Sequence, residues 1–114
     1  MHEVSIAESI RDIAEDYASR EQLRSFRAID LEIGALSGIE VDALTFAMEV
    51  VFRNSVLDGA EVRITHIPGE ARCTDCGHSF SVEDVFTPCP RCNGARADIL
   101  RGEELRVLSL LVEE

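Results

Sequence analysis

The 114 residues predict an α+β fold: a small mixed three-stranded sheet with two helices packed on one side, interrupted by an inserted four-cysteine module. Three observations carry this. Two stretches repeat apolar residues at helical spacing, three others alternate or run apolar as strands do, and two Cys-x-x-Cys pairs lie twelve residues apart.

From Ile6, the residues Ile10, Ile13, Ala14 and Tyr17 follow a helical stripe, and Ser5 with Glu8 fits a capping box at its start. That cap leaves residues 1–4 as a short arm or a frayed first turn. Arg27 to Gly34 then alternates Ile29, Leu31 and Ile33 against Asp30 and Glu32, a half-buried strand. Gly34 and Gly38 frame a loop. Ile39, Leu44, Ala47, Met48, Val51 and Phe52 recur at helical spacing and predict a second helix from about Glu40 to about Asn54.

Asp58-Gly59 signals a turn, and Ala60 to Ile67 alternates again with Val62 and Ile64 inward and Glu61, Arg63 and Thr65 outward. Strand, helix, strand in this order suggests a right-handed crossover and a parallel pair. Pro68-Gly69 is read as ending that strand, and the cysteine segment fills residues 71–99. After Gly102, the run Leu105, Val107, Leu108, Leu110, Leu111 and Val112 predicts a last strand, apolar on both faces and therefore expected at the centre of the sheet.

Each Cys-x-x-Cys makes a knuckle whose two sulfurs point at one centre, so Cys73, Cys76, Cys89 and Cys92 supply four thiolates to a closed tetrahedral site. Structural zinc is the first expectation; rubredoxin-like iron and disulfide or redox use are the alternatives. Gly77 after one pair, and Asn93 then Gly94 after the other, suit the positive φ at which a knuckle turns back, and Pro90 stiffens the second turn. Structural zinc contributes about 10 to 16 kcal/mol of apparent binding free energy, more than a small domain's net stability, so the module is expected to unfold without metal.

Only 5% of the residues are aromatic against 46% hydrophobic, so the core is aliphatic. Twenty-two acids against eleven bases, all arginine, give a formal net charge of −11. Such a surface repels phosphate backbones and anionic lipid, which argues against nucleic acid and membrane as partners and favours cationic metal or a basic protein surface. Arg72, Arg91 and Arg96, close to the cysteines in sequence, are read as local charge compensation. The first residues hold neither a long apolar run nor a basic leader, and a cytoplasmic location is expected.

The chain opens Met1-His2-Glu3. An α-amine, the amide nitrogen of His2 and its imidazole Nδ1 close adjacent chelate rings, with Glu3 as a further ligand. Nitrogen-rich, near-planar ligation suits nickel(II) or copper(II) better than zinc, although ligand chemistry alone does not select nickel over copper. A histidine at position 2 is also an ordinary feature of an exposed terminus.

Met1-His2-Glu3, Ser5, Leu31-Glu32-Ile33-Gly34, Leu36-Ser37-Gly38, Leu44-Thr45-Phe46-Ala47, the paired cysteines with Cys89-Pro90, and Gly102-Glu103-Glu104-Leu105 together resemble the HypA/HybF family of hydrogenase maturation proteins, in order and over essentially the whole chain. The resemblance implies a nickel metallochaperone that hands Ni(II) to the large-subunit precursor of [NiFe]-hydrogenase and works with a HypB-type GTPase, as a monomer or weak dimer. It implies His2 as principal nickel ligand with nitrogens from residues 1–3 and Glu3 as ligand or neighbour, and one structural zinc on Cys73, Cys76, Cys89 and Cys92. The expected organisation is a discontinuous nickel-binding α/β domain, 1–69 and 100–114, around a zinc-binding domain, 70–99. Asn93 departs from the family's glycine, but asparagine tolerates that turn.

Other residues have simpler readings. His66 is expected to be a satisfied structural histidine and His78 a neighbour of an already closed site, while Glu40 and Asp42 suit a helix N-terminus. Met48 and the phenylalanines are expected in the core. No nucleophile with its base and no phosphate loop is visible, so an enzyme is not expected. The rival reading is a zinc-ribbon adapter that docks proteins and has an inert amino terminus.

Overall fold

A computed structural model describes residues 2–112. Its elements are α1 (Glu3–Glu21), β1 (Phe26–Gly34), α2 (Val41–Val51), β2 (Glu61–Ile67), β3 (Gly69–Cys73), β4 (Ser79–Val82), β5 (Ala97–Arg101) and β6 (Leu105–Val112). They form two three-stranded sheets, ordered β2-β1-β6 and β4-β3-β5. The α+β class is as the sequence predicts, and the cysteine insertion carries a sheet of its own.

The chain divides into two compact units. One takes the residues up to Leu31, Ile39–Ile64 and the chain from Val107; the other takes Glu32–Gly38 and Thr65–Arg106. In the first, α1 packs on α2. The buried stripe of α1 is Ala7, Ile10, Ala14 and Ala18, met by Leu44, Ala47 and Met48 of α2. The predicted stripe was half right: Ile13 and Tyr17 are exposed, because small alanines rather than bulky residues fill the contact. Tyr17 instead leans on Phe26, ring centroids 6.2 Å apart.

Helix α1 starts two residues before the predicted capping box, with His2 as its N-cap. It ends at Gln22, whose left-handed backbone (φ 57°) lets its N–H reach the carbonyl of Ala18.

Strand β1 buries Ile29, Leu31 and Ile33 on one side, as its alternation predicts, and also Phe26 and Ala28. It is the central strand. The expectation that the last strand would be central fails: β6 is an edge, with Leu105, Leu108 and Val112 exposed. An apolar run reads alike at an edge and at a centre, and the more continuous burial along β1 decides between them.

Pairings along β1 advance with β2, from Asp30–Arg63 to Ala35–Ile67, and retreat along β6, from Gly34–Glu104 to Leu36–Gly102. The sheet is therefore mixed, with β1 parallel to β2 and antiparallel to β6. Asp30 joins both neighbours: Arg63 donates to its two oxygens at 2.7 and 3.1 Å, and Ser109 Oγ donates at 2.6 Å.

In the second unit β3 is central and antiparallel to both neighbours, with Gly69 facing Val82 and Cys73 facing Ala97. Its small core is Ala71, Cys73, Phe80, Val82 and Cys89, with Leu36 and Ile99 packed against it. Pro68-Gly69 ends β2, as the sequence suggested, and the chain enters β3 at once. Glycine is required there, since a Cβ on Gly69 would overlap the carbonyl of Val82.

Candidate metal centre

Both knuckles close through the backbone. Gly77 N–H donates to the carbonyl of Cys73 at 2.9 Å and Asn93 N–H to that of Cys89 at 2.8 Å. Gly77 (φ 77°) and Asn93 (φ 61°) take the left-handed conformation that the sequence assigns to this turn. Gly94 serves differently: a Cβ there would lie 2.7 Å from Asp75 Oδ2 and 3.2 Å from Cys92 Sγ. The first knuckle is tied down by Cys73 N–H to the carbonyl of His78 at 2.9 Å and Thr74 N–H to that of Arg96 at 3.1 Å.

These turns bring Cys73, Cys76, Cys89 and Cys92 together, with all four sulfurs within 4.8 Å of one another. Cys73 Sγ lies 3.5 Å from Cys92 Sγ and Cys76 Sγ 3.7 Å from Cys89 Sγ. A metal with four thiolates at about 2.3 Å has tetrahedral edges of about 3.8 Å, so the donor set fits such a cation as it stands. All four are free thiols. Cys73 and Cys89 are buried, and Cys76 and Cys92 face solvent.

The electrostatics call for a positive centre. Burial would raise the Cys89 thiol, but N–H groups of Cys92 and Arg91 and the neighbouring thiols outweigh it and bring the pKa down to about 7. At Cys92 the amide of Gly94 lowers the pKa, yet the thiols of Cys73 and Cys76 with burial push it up to about 12. Cys76 is also raised: the amide of His78 opposes the shift, while burial and the Cys89 and Cys73 thiols drive it. One thiolate forms readily and its neighbours then resist ionising, a conflict that a bound dication removes.

His78 stays outside this group. It stacks on Phe80 at 6.2 Å and 14°, which accounts for it without ligation. His66 is exposed on β2, outside the four-thiol group. Of the acids assigned to the second helix, Glu40 is its N-cap and Asp42 lies in its first turn.

The amino terminus presents the second candidate site. Met1 lies outside the described residues. His2 is exposed, with extended backbone (φ −85°, ψ 101°) and a side chain that makes no capping bond. Its carbonyl accepts the first helical bond, from Ile6 N–H at 3.1 Å. The amides of His2 and Glu3 precede the first intrahelical donor, so the helix makes no claim on these nitrogens.

Sequence reasoning missed what lies beside them. His2, Glu3 and Val4 form, with Ala43, Phe46 and Val50 of α2, part of the wall of a groove of about 340 Å³. Phe46, expected in the core, is 69% exposed there. The signal was present: Phe46 and Val50, four residues apart, form an apolar row separate from Leu44, Ala47, Met48 and Val51.

A small α+β chain whose four thiols are gathered within reach of one cation has the make-up of a metal-binding protein. It belongs to the HypA family: the family model described as "Hydrogenase/urease nickel incorporation, metallochaperone, hypA" matches residues 1–112. "Hydrogenase maturation factor HypA" of Cereibacter sphaeroides is 42% identical over 113 residues, covering 99% of this chain and all of that one. The protein so named from Geobacter metallireducens is 43% identical with the same coverage. Among solved structures, the solution structure of the Ni metallochaperone HypA from Helicobacter pylori superposes with a TM-score of 0.68 at 28% identity, covering 98% of this chain and 97% of that one. No described helix is long and apolar enough to cross a membrane.

Proposed function

We propose that this chain is a nickel carrier and not an enzyme. It takes Ni(II) at Met1-His2-Glu3 and delivers it to the large-subunit precursor of [NiFe]-hydrogenase, working in the cytoplasm with a HypB-type GTPase. Cys73, Cys76, Cys89 and Cys92 hold a structural zinc, which supplies cross-linking to a unit whose own core is five buried side chains. The functional partition follows, with nickel on the α/β part and zinc on the cysteine part.

The observation that carries this reading is the state of His2. Its carbonyl is committed to α1, whereas its amide nitrogen and imidazole are not, so the residue is positioned by the helix while its donors remain open. Nitrogen donors of this kind suit a d⁸ cation in a near-planar field. A carrier must also release its cargo. Ligands at a chain end exchange or take up protons without any core contact being broken, and the apolar groove beside His2 offers a partner a foothold within reach of the site.

An N-terminal extension that converts the α-amine into an amide tests the site. Loss of tight nickel binding with unchanged cysteine-bound metal is the expected result; unchanged nickel affinity refutes it.

A further inference from the structure

The turn from β4 to Cys89 exposes more apolar surface than anything in the fold requires. Val82 before it and Cys89 after it are buried, yet Val85 is 60% and Phe86 87% exposed, the highest value for a large apolar side chain among the described residues. The turn is not slack. Asp84 Oδ1 accepts from Phe86 N–H at 2.8 Å and from Thr87 Oγ1 at 3.2 Å. The ring thus stands outward on a turn pinned by Asp84 and anchored at each end by a buried residue, one of them a member of the metal group. A preorganised aromatic loses little freedom when covered, and aromatic side chains are the usual anchors of protein interfaces.

From this geometry we infer that Val85 and Phe86 form a docking knob for the protein that accepts the nickel cargo, seated in an apolar pocket of that partner rimmed by arginine or lysine. The inference rests on the carrier reading above. The basic rim follows from charge, because Glu83 and Asp84 flank the knob and the chain carries a net −11. The same charge disfavours a second copy as occupant, which would set these carboxylates against another acidic surface. Cys89 fixes the end of the turn, which gives the cysteine-bound metal a second consequence: it positions the knob.

The test titrates purified large-subunit precursor of [NiFe]-hydrogenase into the full-length chain, wild type and variants, with metal content and nickel stoichiometry as controls for folding. Phe86→Ser should weaken binding by at least about tenfold, Phe86→Leu should retain most of the affinity, and Glu83→Arg should lower the salt dependence. Both metals should remain bound, since the ring touches no core. Equal Kd for wild type and Phe86→Ser overturns the knob alone. A wild type that does not bind the precursor overturns the carrier reading and the knob with it. Loss of self-association, or of binding to a HypB-type GTPase, with precursor affinity intact also overturns it.

Discussion

The amide of Ile6 donates to the carbonyl of His2 at 3.1 Å, so the proposed nickel ligand is also the residue on which α1 begins. Yet His2 makes no side-chain cap, although the N-cap favours serine, threonine, aspartate or asparagine. Stability and cargo binding therefore pull this position in opposite directions.

His2→Ser should raise stability by about 1 kcal/mol, because the hydroxyl accepts from an otherwise unpaired amide of the first turn, and should at the same time abolish tight nickel binding. Thermal melts beside nickel titrations read both. A stabilised variant that keeps its nickel would remove His2 from the site.

Cys73→Ser should release the cysteine-bound metal and loosen the second unit, since that sulfur belongs both to the four-thiol group and to the unit's core. The loss of apparent binding free energy is on the order of 10 kcal/mol. His78→Ala should keep the metal, because its ring stacks on Phe80 outside the four-thiol group. Elemental analysis after gel filtration distinguishes the two variants.

Asp30 links the acid response to the sheet. The Arg63 guanidinium, then the Ser109 hydroxyl, hold its carboxyl below the ordinary value of 3.8. A depressed folded value means that the folded state binds fewer protons, so this contribution is complete above 3.8 and is lost as pH falls through the depressed value. Asp30→Asn should therefore be less stable than wild type at pH 7, and the gap should narrow as the pH is lowered below 3.8. Urea denaturation across that window measures it; a gap independent of pH would contradict the assignment.

Gly34→Ala and Gly38→Ala should differ. A Cβ on Gly34 would overlap the carbonyl of Gly102, whereas a Cβ on Gly38 meets nothing and is strained only by its φ of 78°. The Gly38 change should cost about 1 kcal/mol and the Gly34 change clearly more, in chemical denaturation of the metal-loaded protein.

What was legible in the sequence follows the strength of each local constraint. The Cys-x-x-Cys spacing forces convergence, and Gly77 and Asn93 reported the turn geometry correctly, because few residues tolerate positive φ. Alternation in β1 was readable because Ile29, Leu31 and Ile33 are buried while Asp30 and Glu32 are less so, and helical spacing in α2 because Leu44, Ala47 and Met48 are buried along one stripe.

The failures lie where a pattern has two solutions. The apolar run of β6 fits an edge as well as a centre. Ser5 and Glu8 make a plausible cap, but the buried alanine stripe permits the helix to begin at Glu3. The β3-β4-β5 sheet was hidden because its strands are four or five residues long and are held by the cysteine turns rather than by long apolar faces. Exposure of Phe46 and Phe86 was missed because an aromatic residue defaults to the core when no partner is visible.

The most direct test is Ni(II) titration of tag-free protein, wild type beside His2→Ala, with cysteine-bound metal assayed in both. One tight nickel per wild-type chain, lost in the variant while the cysteine-bound metal stays, is the predicted result; equal nickel affinity in the two proteins would contradict the carrier account.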